Sequence, residues 1–228
     1  MNAHIGGVSL LVVAKAPVPG LAKTRIAVTT GDTVASELAA AALLDTLATV
    51  IAVGADHDWP VVVAMTGDLT QAACHEEIAA ALAGVTVVDQ RGDGLAERLA
   101  HAHADAAIAS GATGVVQVGM DTPQLTAADY VAAAEAVQAG ERVLGRADDG
   151  GWWLLGLPDA AEATSLIGVP MSTDHTADHT QQAIGHVTWL RTVQDMDTWE
   201  DAQQIAAGIP QSRLAAVVDE ALAAGVSS

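Results

Sequence analysis

Four apolar runs, Val8–Ala14, Pro60–Met65, Val85–Asp89 and Gly114–Met120, recur between longer alanine-rich segments of helical period. Successive side chains of a strand point to opposite faces. A strand apolar on consecutive residues must therefore be buried on both faces, which occurs mainly in parallel sheets covered by helices. The alternation is a βαβ rhythm and predicts an α/β fold with a mostly parallel, doubly wound sheet and helices on both faces. The intervening helices are expected at Thr33–Val53, Thr70–Leu82, Leu95–Ser110 and Ala127–Ala139, each preceded by Gly, Asp, Thr or Ser in capping or turn positions. After Gly140 the rhythm changes. A strand Arg142–Ala147, an acidic glycine turn, a strand Trp152–Leu157, a polar loop to about Gln182 and a strand Val187–Val193 are followed by helices Thr198–Gly208 and Gln211–Gly225. This altered stretch is where a second substrate is expected.

With 228 residues, 51% of them apolar and spread along the chain, burial can offset the entropy of ordering. Nothing marks a second core, so residues 1–228 read as one domain. The lone Cys74 cannot form an internal disulfide, and Met1–Gly7 lacks the basic start and apolar stretch of a secretory signal, which points to the cytoplasm. Thr33–Val53 is interrupted by Glu37, Asp45 and several threonines, so no membrane span is expected. A net charge of −19 repels phosphate backbones and argues against nucleic acid or anionic membranes as partners. So much acid is most simply a solubility or salt adaptation. A phosphate ligand would need local compensation.

That compensation exists. The loop after the first strand reads AKAPVPGLAKTR, residues 14–25, and holds both lysines of the chain, Lys15 and Lys23, together with Arg25. Three of nine basic residues thus fall within 11 positions, where even spreading would put about 0.4. In open α/β sheets ligands bind beyond the carboxyl ends of the strands. A cationic loop there, with Gly20 for its turn and Thr24 beside the charges, suits a polyphosphate. The loop has neither the Walker spacing nor the GxGxxG fingerprint, which excludes those nucleotide-binding classes.

Asp121, in VGMDTP at the end of the fourth strand, would face the Lys23 loop if the first and fourth strands are neighbours across a switch point. A carboxylate opposite phosphates calls for a hard cation; the alternative is a cap for the helix near Thr126. In RADDGGWWLLGL, Asp148 and Asp149 precede Gly150 and Gly151, which permit close backbone approach, and then Trp152 and Trp153; an ordinary hairpin is the plain alternative. In QDMDTWED, Asp197 is either a helix cap or a second metal ligand. His175 and His179 would share a helix face and could take Zn²⁺, although a solvated polar segment explains them better, with no third ligand in view. His101 and His103, two apart on a helix, cannot face one another.

Taken together, AKAPVPGLAKTR, QRGDGLAERLAHA at 90–102, VGMDTP, ADDGGWWLLGL, PMST at 170–173 and DMDTWED resemble the bacterial family known as domain of unknown function 2064. Its members are similar to glycosyltransferase-A-like proteins of the nucleotide-diphospho-sugar transferase superfamily, and the resemblance runs over about residues 8–207. It implies a Rossmann-like glycosyltransferase-A fold with a nucleotide over the first loop. More distantly, AKTR, D-x-P and D-x-D-T-x-E-D are similar to segments of phospholactate and molybdenum-cofactor guanylyltransferases. In that superfamily the corresponding acidic residues hold the metal, which implies Asp121 and Asp197 here. Met120, Trp152 and Trp199 depart from the usual small or polar residue, tyrosine and proline.

The resemblance and the residues together predict a transferase whose Mg²⁺ or Mn²⁺, on Asp121 and Asp197, bridges the phosphates of a nucleotide or nucleotide-sugar donor. Lys15, Gly20, Lys23, Thr24 and Arg25 would hold that donor, with Lys23 also counted as catalytic. Asp148 or Asp149 would orient or deprotonate a small-molecule acceptor lying against Gly150, Gly151, Trp152 and Trp153. Glycosyl transfer is the first expectation. Nucleotidyl transfer, for example of a guanylyl group to a small phosphorylated acceptor, is the alternative, because Asp121-Thr122-Pro123 lacks the second carboxylate of a D-x-D. A catalytically silent nucleotide-binding protein is a third reading.

Overall fold

The structure, a computed structural model, describes residues 7–226. Seven strands, β1 (Val8–Lys15), β2 (Val61–Thr66), β3 (Thr86–Asp89), β4 (Gly114–Gly119), β5 (Val143–Ala147), β6 (Trp152–Leu157) and β7 (Thr188–Val193), form one sheet in the order β3-β2-β1-β4-β6-β5-β7. Only β6 runs against its neighbours; every other pairing is parallel. The chain steps outward from β1 to β2 and β3, then crosses back to place β4 on the other side of β1. The switch point between the first and fourth strands is therefore real, and a ligand-binding crevice is expected there.

The helices are α1 (Thr24–Thr30), α2 (Asp32–His57), α3 (His75–Leu82), α4 (Leu95–Ser110), α5 (Ala127–Gln138), α6 (Thr176–Ile184), α7 (Trp199–Gly208) and α8 (Arg213–Ala223). They cover both faces, as the doubly apolar strands require. Leu10 and Val12 pack with Leu43 and Leu47 of α2 and Tyr130 of α5, while Leu11 packs on the opposite face with Ala102 and Ala106 of α4. Outside α2 lies a further layer, in which Ile26, Met196, Trp199 and Leu214 draw α1, α7 and α8 onto Leu38.

α2 is more apolar than its interruptions suggest. Its 26 residues include an 18-residue window of mean hydropathy 2.0, long and apolar enough by composition to cross a bilayer, but 67% of that window is buried within the fold. Asp45, its acidic interruption, accepts hydrogen bonds from the backbone N–H groups of Arg213 (3.1 Å) and Leu214 (3.0 Å). These are donors at the start of α8 that have no partner within their own helix.

Three other differences have local causes. The cationic loop ends in a helix, α1, that carries no side-chain N-cap hydrogen bond to announce it. The segment expected as one helix from Thr70 to Leu82 breaks into a 3-10 turn at Leu69–Gln71 and α3, because Cys74 between them is left-handed at φ 51°. The polar stretch before Gln182 contains a 3-10 segment, Ala160–Leu166, and α6. α6 buries only Thr176, Ala177, Thr180 and Ile184, a face too polar to read as a core helix.

Candidate functional site

The carboxyl ends of the parallel strands open into a cleft of about 710 Å³. On one side stands the loop after β1. Lys23, the residue before α1, holds a left-handed backbone (φ 46°, ψ 49°), a conformation costly for any residue with a Cβ. Its side chain explains why it stays there: Nζ donates to Asp121 Oδ2 and to the Met196 carbonyl, each at 2.7 Å. Burial alone would lower the lysine's pKa, but attraction to Asp121 overrides it and holds the ammonium above its ordinary value. Lys23 in turn holds the Asp121 carboxyl below the usual carboxylate range. Two residues on, Arg25 Nη1 donates to Asp197 Oδ2 at 2.8 Å. Lys15 donates through Nζ to the Leu21 carbonyl at 2.9 Å, closing the loop on itself. Its backbone N–H points at the Met120 sulfur, 3.2 Å away, which gives that unusual methionine a role in seating the loop. Gly20 turns the loop at φ 76° and Thr24 opens α1. Lys15 and Arg25 line the cleft, and Lys23 anchors Asp121, which does too.

Neither metal-ligand candidate is a helix cap. Thr126 and Asp129 form the capping box of α5, and Thr198 and Asp201 that of α7. Asp121 and Asp197 are thereby left to face the cleft. Asp195, which the sequence reading passed over, lines the same cleft. Its carboxyl is pushed up to about 7 by burial and by the charges of Asp121, Asp149 and Asp197, with Lys23 opposing. Its spacing from Asp197 in DMD was a usable signal, since residues two apart in extended chain share a side.

On the other side, the β5–β6 turn separates its two aspartates. Both are exposed, but Asp149 lines the cleft, its Oδ1 accepting from Gly151 N at 2.7 Å, whereas Asp148 lies off the wall. Gly150 is left-handed at φ 86°, and a Cβ there would stand 1.9 Å from the Asp174 carbonyl. Its own carbonyl accepts from Ala177 N at 2.9 Å, so the turn docks tightly on the segment before α6. Half-buried Trp152 donates to Thr180 Oγ1 at 3.1 Å. Trp153 is 2% exposed, packs across Gly145 and donates to the Arg191 carbonyl at 3.0 Å. It reaches the wall from the core, so Trp152 is the ring more open to a ligand.

Gln90 and Arg98, in the stretch QRGDGLAER, also line the cleft. Gln90 Nε2 donates to the Ala14 (2.7 Å) and Ala64 (2.9 Å) carbonyls at the ends of β1 and β2. His103 lies beneath, fully buried, its Nε2 3.2 Å from Gln117 Oε1. His175 precedes α6 and stands edge-on to His179 with ring centroids 6.2 Å apart. Among the described residues no three His, Cys, Asp or Glu side chains converge as a ready-made metal cage. The donor set fits Mg²⁺ or Mn²⁺ nonetheless: five aspartates (121, 149, 174, 195 and 197) line one cleft, and such ions are usually held by one or two carboxylates together with substrate phosphates.

No curated protein matches the chain in sequence. Among solved structures it is similar to a candidate nucleotide-diphospho-sugar transferase from Desulfovibrio desulfuricans G20, with 25% identity over 95% of both chains and a TM-score of 0.78. It shares its fold with Rv0371c of Mycobacterium tuberculosis H37Rv, solved in complex with manganese (18% identity, 87% of this chain and 97% of that one, TM-score 0.50). The same holds for 4-diphosphocytidyl-2C-methyl-D-erythritol synthase of Anaerococcus prevotii DSM 20548 (13% identity, 91% of this chain and 100% of that one, TM-score 0.56). The family described as "Uncharacterized protein conserved in bacteria (DUF2064)" matches residues 46–173, which include Asp121, Asp149 and Trp152 but not Lys23 or Asp197. With more than half of its length matched and that fold around its cleft, the chain belongs to the DUF2064 family.

Proposed function

We propose that the chain, acting as one domain, is a metal-dependent transferase that moves a sugar from a nucleotide-sugar donor to a small-molecule acceptor. The observation that carries this reading is the meeting, at the switch point, of the cationic loop after β1 with the aspartate that ends β4. Whole-length similarity to a candidate nucleotide-diphospho-sugar transferase supports it.

In this reading Lys15 and Arg25 take the donor phosphates, and Lys23 fixes Asp121 and, through its helix, the loop. Asp121 and Asp197 would hold Mg²⁺ or Mn²⁺, which supplies positive charge to those phosphates when bound. Asp149, fixed by Gly151 N, accepts the proton of the acceptor hydroxyl as its oxygen bonds to the sugar carbon. The bond from that carbon to phosphate breaks, and the nucleoside diphosphate leaves with the electron pair, its charge met by Lys15 and Arg25. Asp148, off the wall, has no part in this.

One observation favours a second reading, nucleotidyl transfer: Pro123 stands where a D-x-D would place its second carboxylate, and a lysine is what faces Asp121. The acceptor would then attack the α-phosphate and release pyrophosphate. Thermal-shift measurements on purified protein with nucleoside triphosphates and nucleotide sugars, each with Mg²⁺, Mn²⁺ or EDTA, separate the two. A metal-dependent rise with a nucleotide sugar is expected. A rise with a triphosphate alone selects nucleotidyl transfer, and no rise with any of them overturns both.

A further inference from the structure

The charges of the cleft are sorted along the sheet. Among the described residues, every cation on its wall, Lys15, Arg25 and Arg98, comes from the loop after β1 or from α4. Beyond β4 the wall carries Asp149, Asp174, Asp195 and Asp197, the last paired with Arg25, with Trp152 and Met171 among them. Arginines do occur on these elements, but they are engaged elsewhere. Arg146 donates to Asp178 at 2.6 Å and lies 4.6 Å over the Trp189 ring, and Arg191 forks onto Asp129 at 2.6 and 2.9 Å. At the boundary between the halves stands Thr122, 1% exposed, whose Oγ1 has no hydrogen-bond partner.

From this sorting we infer that the acceptor is an uncharged polyhydroxy compound, a sugar or polyol carrying neither phosphate nor carboxylate. The inference rests on the transferase reading above and narrows its second substrate. An anionic group placed beyond β4 would meet Asp149 and Asp174 with, among the described residues, no lysine or arginine on that stretch of wall. His175, 3.7 Å from Asp174, is the titratable group beside them, and solvent moderates the repulsion because the Asp174 side chain is 81% exposed. Hydroxyl groups have the complementary chemistry. They donate to carboxylates such as those of Asp149 and Asp174. The indole of Trp152, its nitrogen already directed to Thr180, leaves an apolar ring surface for the C–H face of a sugar. A divalent cation on Asp121 and Asp197 does not remove the asymmetry, because Asp149 and Asp174 lie on the far wall from the loop.

The test is two-dimensional NMR of the full chain with diamagnetic Mg²⁺ added, titrated with matched pairs: glucose and glucose 6-phosphate, mannose and mannose 6-phosphate, glycerol and glycerol 3-phosphate. Inorganic phosphate and a nucleotide sugar are titrated separately. At residues 149–153 and 171–176 the neutral member of a pair should bind about tenfold more tightly than its phosphate ester. Asp149→Asn combined with Asp174→Asn should shrink that ratio while leaving phosphate-induced shifts in residues 15–25 in place. Equal or tighter binding of a phosphate ester at the acceptor half, or no response there to any neutral probe, overturns the inference. Shifts at residues 15–25 with the nucleotide sugar report the donor reading independently, so failure of one is distinguished from failure of the other.

Discussion

Lys23 and Arg25 lie two residues apart on one loop, and each pairs with an aspartate across the cleft, yet they are different kinds of interaction. The Lys23 side chain is 13% exposed against 38% for Asp121, and its ammonium makes a second bond to the Met196 carbonyl. The Arg25 side chain is 76% exposed and makes a single contact with Asp197. The first pair ties the loop, β4 and the segment before α7 into one unit, and the left-handed backbone of Lys23 is tolerated because that unit over-determines it. The second is washed by solvent, screened by salt and free to exchange its carboxylate for a ligand. Charge and spacing are alike; burial decides which pair builds the site and which serves it.

The sharpest way to break this comparison is Lys23→Ala. Alanine and lysine bear the same left-handed penalty, so the substitution isolates the side chain. Asp121, 38% exposed, is left without its cation, and the Met196 carbonyl loses its donor. Stability should fall by about 3 kcal/mol, toward the low end for breaking a buried pair because the carboxylate keeps some contact with water. Urea denaturation reads this as a lower midpoint at unchanged slope. A loss under about 0.5 kcal/mol would make the pair no different from a surface bridge.

A second experiment separates the pair from two other perturbed groups at the cleft, His103 beneath it and Asp195 on its wall. Burial pushes the His103 pKa down to about 4 from an unfolded value near 6.5, opposed only by its bond to Gln117, and its Nδ1 has no partner. The folded pKa is the lower one, so the unfolded chain binds a proton in that window that the folded chain refuses. The His103 contribution is full above about pH 6.5 and declines as the pH drops toward 4, by about 2 kcal/mol at pH 5, while Asp195, with its folded pKa raised to about 7, binds its proton in the folded chain first and offsets that decline over the same range. Asp121 stays charged over that range because Lys23 holds it below the ordinary carboxylate value. His103→Gln should raise stability at pH 5, relative to pH 6.5, by about 2 kcal/mol over the parent. If His103→Gln leaves the difference between pH 6.5 and pH 5 as it is in the parent, the histidine is not the source of that contribution.

The same contrast explains what could be read in the sequence. The sheet was legible because its strands are buried on both faces: Leu10 and Leu11 each had to be covered, and both are. α4 was legible to the residue, Leu95–Ser110, since Gly94 and Gly111 bound it. The charge cluster on the loop was visible as well, because charge is local in sequence. What escaped depends on tertiary partners. Nothing in AKTR marks α1, whose start is fixed by a lysine bonded to residues 98 and 173 positions away. Asp148 and Asp149 look alike in the chain, and only the docking of Gly150 on Asp174 decides which of them faces the cleft. Asp195 was overlooked because its importance lies in neighbours gathered from three other segments. α6 was hidden by the polarity of its buried face, where Thr176 and Thr180 stand in for apolar residues.

Arg25→Ala is the smallest effect on stability and the most informative about function. Losing one exposed contact should change the unfolding free energy by less than about 0.5 kcal/mol, and added salt should shrink even that. If Arg25 is free to leave Asp197 for a phosphate, however, the same variant forfeits a charge-assisted hydrogen bond to the donor. Nucleotide affinity, measured by calorimetry with Mg²⁺ present, should then fall about tenfold. Arg25→Lys should recover part of it, because a point charge still attracts phosphate while the planar fork is lost. Unchanged affinity beside unchanged stability would leave the arginine as a solvated surface charge and shift the donor's anchoring to Lys15 and Arg98. A stability loss comparable to that of Lys23→Ala would instead show that the two pairs work as one network, and that exposure alone does not tell them apart.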